Sequence, residues 1–158
     1  MPLSLAGSSV DPVLARIISH VESSGLKYAL RFEPGIFAGL ATLGAAESAE
    51  LDHIAHLNLC SYETARVIYS TSFGFYQIMG FNIYALGWDG PILSWWQDIN
   101  AQNAAFAAFL DKNDINFTWA EMSTDSTKLG KFARVYNGNE ASYSARMLAI
   151  AAQLGVAQ

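Results

Sequence analysis

Glu22 and Ser23 close an apolar run, and about fifty residues later comes Ser72-Phe73-Gly74-Phe75-Tyr76-Gln77-Ile78-Met79. The chemistry on offer is proton donation, because a carboxyl group at the wall of a helical core is where a fold would place an acid for breaking a glycosidic bond. Asp11 can accept from the free amides of a helix start, and Pro12 is pre-set for the first helical position. Val13, Leu14, Ile17, Ile18 and Val21 recur at helical spacing, so residues 12 to 23 bury one face, and Gly25 supplies the stop. Glu22 then falls in the last turn, at the border of the buried stripe. The carbonyl end of the helix opposes negative charge there and partial burial removes water, so both effects push its pKa upward. Lifting a carboxyl from ~4.3 to ~6 takes roughly 2.3 kcal/mol, a modest demand for such a place. Read locally, the residue also fits an ordinary solvated helix-end acid, as most glutamates are.

The elements that must position this acid are mostly helices. Residues 26 to 33 alternate, with Leu26, Tyr28, Leu30 and Phe32 on one side, and predict a short strand or extended arm. Helices are predicted over 45 to 57 and over 61 to 69, the second capped by Ser61, then over 73 to 79, capped by Ser72, and over 81 to 86, stopped by Gly87. From Pro91 to Lys112 a long central helix is expected, with Leu93, Trp96, Ile99, Asn103, Phe106 and Leu110 on one face and Ala104, Ala105, Ala107 and Ala108 allowing close packing. Asp125 or Ser126 opens a helix ending at Tyr136-Asn137-Gly138, and residues 141 to 154 form the last one before Gly155. The predicted fold class is mainly α, a helical bundle around a central helix with a minor β arm.

With 158 residues, 52% hydrophobic and 15% charged, the chain fits a single globular domain over residues 1–158. A net charge of -5 without any basic run excludes nucleic acid and electrostatic attachment to anionic membranes, and it repels phosphate-rich envelope polymers. Cys60, the lone cysteine, reads as a buried thiol made in a reducing compartment. Met1 to Val10 lacks the pattern of a signal peptide and no stretch is apolar enough to span a bilayer, so synthesis in the cytoplasm without membrane insertion is expected. Asp52, His53 and His56 suit a solvated helix face better than a metal site, and His20 points away from Glu22, so no metal or cofactor is expected. Trp88, Trp95, Trp96 and Trp119 offer faces on which a sugar could stack, but in a chain 13% aromatic most fit the core, and only Trp88, in its glycine-flanked turn, invites a surface reading.

Glu22-Ser23, the Ser72 to Met79 run, Asp98-Ile99-Asn100 and Tyr136-Asn137-Gly138 stand in the order and rough spacing seen in goose-type lysozymes and soluble lytic transglycosylases. Residues 12 to 150 therefore resemble the lysozyme superfamily, and Arg31-Phe32-Glu33-Pro34 resembles an arm of its phage-encoded members. Phe75-Tyr76 departs from the usual Leu-Met and Val135 from the usual small residue, both at positions that would line the sugar cleft. The resemblance implies a lysozyme-like α+β fold and cleavage of the β-1,4 bond between N-acetylmuramic acid and N-acetylglucosamine in peptidoglycan glycan strands. Glu22 would be the acid. Glu33 would be a second carboxylate, unless the substrate's acetamido group or C6 hydroxyl takes that part. Gln77 would hold substrate or water, or else brace a tight turn; Tyr136 would offer a hydroxyl near Glu22. Asn137 would line the cleft or end its helix, and Ser72 would touch sugar or cap a helix. The expected protein is a monomer that reaches the cell wall after release from the host cytoplasm or from a virion. As a lone module it suits a thin Gram-negative wall. The alternatives are a lytic transglycosylase giving a 1,6-anhydro product and a non-catalytic glycan-binding or virion structural module.

Overall fold

A computed structural model describes residues 10–42 and 44–156, so the leader reading of the N-terminus falls, up to residue 9, outside the described residues. The first helix, α1 (Pro12–Ser23), starts as its sequence dictates. One carboxylate oxygen of Asp11 accepts the Val13 N–H at 2.9 Å, and the other accepts the Trp119 N–H at 2.5 Å, tying the start of α1 to a distant helix. Leu14, Ile17, Ile18 and Val21 are buried. The helix ends where Ser24 and Gly25 both turn left-handed, at φ 55° and 76°.

An arm leads to β1 (Leu30–Phe32), α2 (Pro34–Gly39) and a single 3-10 turn, followed by α3 (Ala45–Asn58) and α4 (Tyr62–Tyr69), whose cap is Ser61. A hairpin of β2 (Thr71–Phe73) and β3 (Ile78–Met79) comes next, then α5 (Gly80–Ala85), α6 (Ile92–Gln97), α7 (Ile99–Lys112), α8 (Trp119–Thr124), α9 (Ser126–Asn137) and α10 (Glu140–Gln153). The sheet is antiparallel in the order β1-β2-β3, with Arg31 opposite Ser72 and Ser72 opposite Met79, and with Leu30 opposite Phe73 and Phe73 opposite Ile78. Alternation puts Arg31, Ser72 and Met79 on one face and Leu30, Phe73 and Ile78 on the other. The fold is thus mainly α with a small sheet, as the patterning predicts.

Several local expectations are corrected. Strand geometry over 26 to 33 shrinks to Leu30–Phe32. The helix expected over 73 to 79 is a hairpin, because Gly74 at φ 76° and Gln77 at φ 47° reverse the chain, and Ser72 sits inside the sheet instead of capping a helix. The long helix is broken at Asp98, which ends α6 and caps α7 by accepting the Asn100 N–H at 2.8 Å. The break rotates the buried face. Leu93, Ile99 and Asn103 are exposed, while Ala101, Gln102, Ala104, Ala105, Phe106 and Leu110 are buried. Two short helices lacked an apolar period to announce them: α2, which Pro34 opens, and α8, held by a capping box between Thr118 and Glu121.

The core runs between α1, α7, α9 and α10, with Ile17, Phe106, Phe132, Tyr143 and Met147 fully enclosed. Trp95 and Trp119 are core residues, and Cys60 is a half-buried free thiol whose pKa burial pushes up. Gly80 is required by close approach, since a Cβ there would lie 1.9 Å from the Ile68 carbonyl oxygen where α5 starts against α4. Among the described residues no helix is long and apolar enough to cross a membrane.

Candidate active site

Glu22 is half-buried in the last turn of α1 and accepts a hydrogen bond from the Tyr143 hydroxyl of α10 at 2.6 Å. One turn further along α10, Arg146 donates to the Val21 carbonyl at 2.6 Å, which brings its guanidinium to the end of α1. Burial is the largest influence on Glu22 and raises its pKa; the Tyr143 hydrogen bond and the charges of Arg31 and Arg146 pull the other way. Desolvation wins, so the carboxyl holds its proton to higher pH than an ordinary glutamate. Tyr143 and Tyr136 are themselves raised far above the usual phenol range, burial first and the Glu22 charge among the further causes, so both remain O–H donors.

The other residues singled out in the sequence lie around this acid in different ways. Tyr136 belongs to the same aromatic stack, 5.9 Å from the Tyr143 ring and 5.3 Å from Phe132, but its hydroxyl donates to the Tyr76 carbonyl at 2.6 Å and not to Glu22. Glu33 follows β1 and pairs with Arg31, whose Nε donates to it at 2.5 Å. Arg31 therefore serves two carboxylates, as an ion pair with Glu33 and as a nearby charge favouring ionised Glu22. The Ser72 hydroxyl is fully buried in β2, between the Arg31 carbonyl at 3.2 Å and the Gln77 Oε1 at 2.9 Å. Gln77 completes that brace by donating to the Gly74 carbonyl at 3.0 Å. Asn137 is the exposed last residue of α9, before Gly138 at φ 80°.

The turn from Gly74 to Gln77 is held from several elements at once. The Ser23 hydroxyl, next to Glu22, is shared between the Ser19 carbonyl at 2.8 Å and the Phe75 carbonyl at 3.0 Å. Gln102, fully buried on α7, accepts the Phe75 N–H at 2.9 Å and donates to the Lys27 carbonyl at 3.1 Å and the Trp96 carbonyl at 2.7 Å. Gly74 must be glycine twice over, for its φ of 76° and because a Cβ would stand 2.3 Å from the Gln102 oxygen. Tyr143, Arg146 and Gln102 were missed in the sequence. Gln102 alone left a local signal there, a long polar side chain among the alanines of a buried face. Asp52, His53 and His56 are exposed on α3, and no group of three potential metal ligands occurs among the described residues.

The chain thus sets a half-buried glutamate, its pKa raised by burial, at the end of α1 beside a small sheet. Residues 21–154 match the family described as Muramidase, N-acetylmuramidase, and the chain belongs to that family. It is an enzyme, a muramidase that degrades peptidoglycan. The chain is also 39% identical over 126 residues, covering 78% of this chain and 85% of the relative, to a protein named Endolysin from Enterobacteria phage PRD1. No solved structure matches it.

Proposed function

We propose that this muramidase cleaves the β-1,4 bond between N-acetylmuramic acid and N-acetylglucosamine with Glu22 as general acid, and that it serves as a phage endolysin. The observation that carries the reading is the Glu22 carboxyl, its pKa raised by burial and its position fixed by the Tyr143 hydroxyl at 2.6 Å. Its proton passes to the bridging oxygen as the C1–O bond breaks and the electron pair leaves with the departing sugar, a step for which a placed acid contributes typically ~10²–10⁴ in rate. Water then adds to C1. Glu33 is the proposed acceptor of the water's proton, because the Arg31 that pairs with it is also near enough to act on Glu22. In a second reading Glu33 stays engaged in its ion pair with Arg31, and the C6 hydroxyl closes a 1,6-anhydro ring and returns its proton to Glu22. Tyr136 and Asn137 are proposed to border the sugar cleft, with Ser72 and Gln77 shaping its wall through the hairpin turn.

Glu22→Gln is expected to abolish release of muropeptides from purified sacculi while the chain stays folded; a variant that still clears walls would refute the assignment. Mass spectrometry of the products separates the two readings, since reducing ends mark hydrolysis and products lighter by one water mark transglycosylation. Glu33→Gln should abolish the hydrolytic product if Glu33 is the base. The relative named from an enterobacterial phage supports a thin Gram-negative wall as target, checked by comparing purified walls of both types. The enzyme is proposed to act as a monomer, which sedimentation would test.

A further inference from the structure

Trp96 does not belong wholly to the core, although its neighbour Trp95 does. Trp96, Tyr28 and Gln97 line an open hollow of ≈ 390 Å³. The two rings meet edge to face with centroids 5.7 Å apart, and Tyr28 is 47% exposed, with the Lys27 ammonium 4.6 Å from its ring centroid. An exposed aromatic corner flanked by a free-standing amide and a cation suits a sugar ring, whose C–H face packs on the π surface while its hydroxyl and acetamido groups meet the polar edge.

The hollow is also fixed relative to the acid. The same Gln102 amide nitrogen grips the carbonyls of Lys27 and Trp96, so both sides of the corner are held by one buried side chain. Its oxygen holds Phe75, and the Phe75 carbonyl in turn receives Ser23, the residue after Glu22. Links of 2.7, 2.9 and 3.0 Å thus run from the platform through the hairpin turn to the end of α1. The geometry points to Tyr28, Trp96 and Gln97 as a remote glycan subsite, where a sugar several units from the scissile bond stacks and sets the register of the strand over Glu22. This rests on the glycan-strand substrate proposed above. A contact made equally in the ground and transition states appears mainly in KM, and its effect grows with strand length.

The test uses the full chain and peptide-free glycan strands of graded length. Binding is measured by calorimetry in a Glu22→Gln background, and turnover with Glu22 in place. Tyr28→Ala is expected to weaken binding of long strands about three- to tenfold and to raise KM to match, with kcat little affected and the penalty growing with strand length; Tyr28→Phe restores both. In the chain with native Tyr28, strand binding should shift the Trp96 indole resonances, a readout that survives even if Tyr28→Ala fails to fold. Unmoved Trp96 resonances, or a folded Tyr28→Ala with native affinity at every length, would overturn the subsite. The two assignments fail separately: strands that bind at Trp96 but are never cleaved sink the role of Glu22, and cleavage indifferent to Tyr28 sinks the platform alone.

Discussion

Opposed influences act on Glu22, and burial is the largest of them. Withdrawal from water favours the protonated form, while the Tyr143 hydroxyl and the charges of Arg31 and Arg146 favour the ionised one, and the proposed general acid must give up its proton in each turnover. Tyr143→Phe removes the strongest of the opposing influences, so the pKa of Glu22 should rise further and the alkaline limb of the pH–rate profile should move to higher pH. A fall in kcat and a stability loss of about 1 kcal/mol should accompany it, and an unmoved limb would contradict the argument. Linkage gives a second check. With the native pKa above the unfolded one, the folded state binds the proton more tightly, so the Glu22 contribution to stability is greatest at low pH. It falls as pH climbs from ~4.3 through the raised native value. Glu22→Gln lacks that loss, and its advantage in Tm over the native chain should be larger at about pH 8 than at about pH 4 by calorimetry. The helix that carries Glu22 was legible because it announces itself through Asp11, Pro12 and the apolar period. Tyr143 was not, since a partner 121 residues away on another helix leaves no local pattern.

The hairpin turn at Gly74 to Gln77 is the element on which the site's geometry converges, and it should fail in a characteristic way. Gln102→Leu leaves the Phe75 N–H and the carbonyls of Lys27 and Trp96 without their partner, for an expected loss of about 2–4 kcal/mol in urea unfolding together with reduced activity. Gly74→Ala forces a left-handed alanine against the same amide and should cost about 1–3 kcal/mol. The double variant should lose less than the sum, because leucine removes the oxygen that the new Cβ strikes; strict additivity would show that the two sites do not touch. Helices were legible wherever a cap closed an apolar period, as at Ser61 and Gly138. The hairpin was not, because Phe73 to Met79 is a short, largely apolar run that suits helix and strand alike, and a left-handed glutamine has no signature. The interruption at Asp98 was hidden for another reason: Leu93 to Leu110 keeps a helical period straight across it, and only the cap bond to Asn100 shows where the chain restarts.

At the scale of the whole molecule, a chain of net charge -5 approaches a wall bearing anionic polymers. Like charges slow the encounter, so the rate on intact sacculi should rise as salt is added up to about 0.1 M, where the screening length is ~10 Å. Turbidity clearing against ionic strength measures this, and a steady fall from the lowest salt would contradict it. The ordered motifs from Glu22-Ser23 to Tyr136-Asn137-Gly138 made the class of protein legible, but not the docking of the last helix on the first. That docking has a temporal consequence. The segment that carries the acid leaves the ribosome 121 residues before the tyrosine that aims it, an interval of about 6–24 s at ordinary elongation rates. The first helix therefore waits through most of synthesis for its partner, and the hydrogen bond between Tyr143 and Glu22 can form only when the final helix arrives.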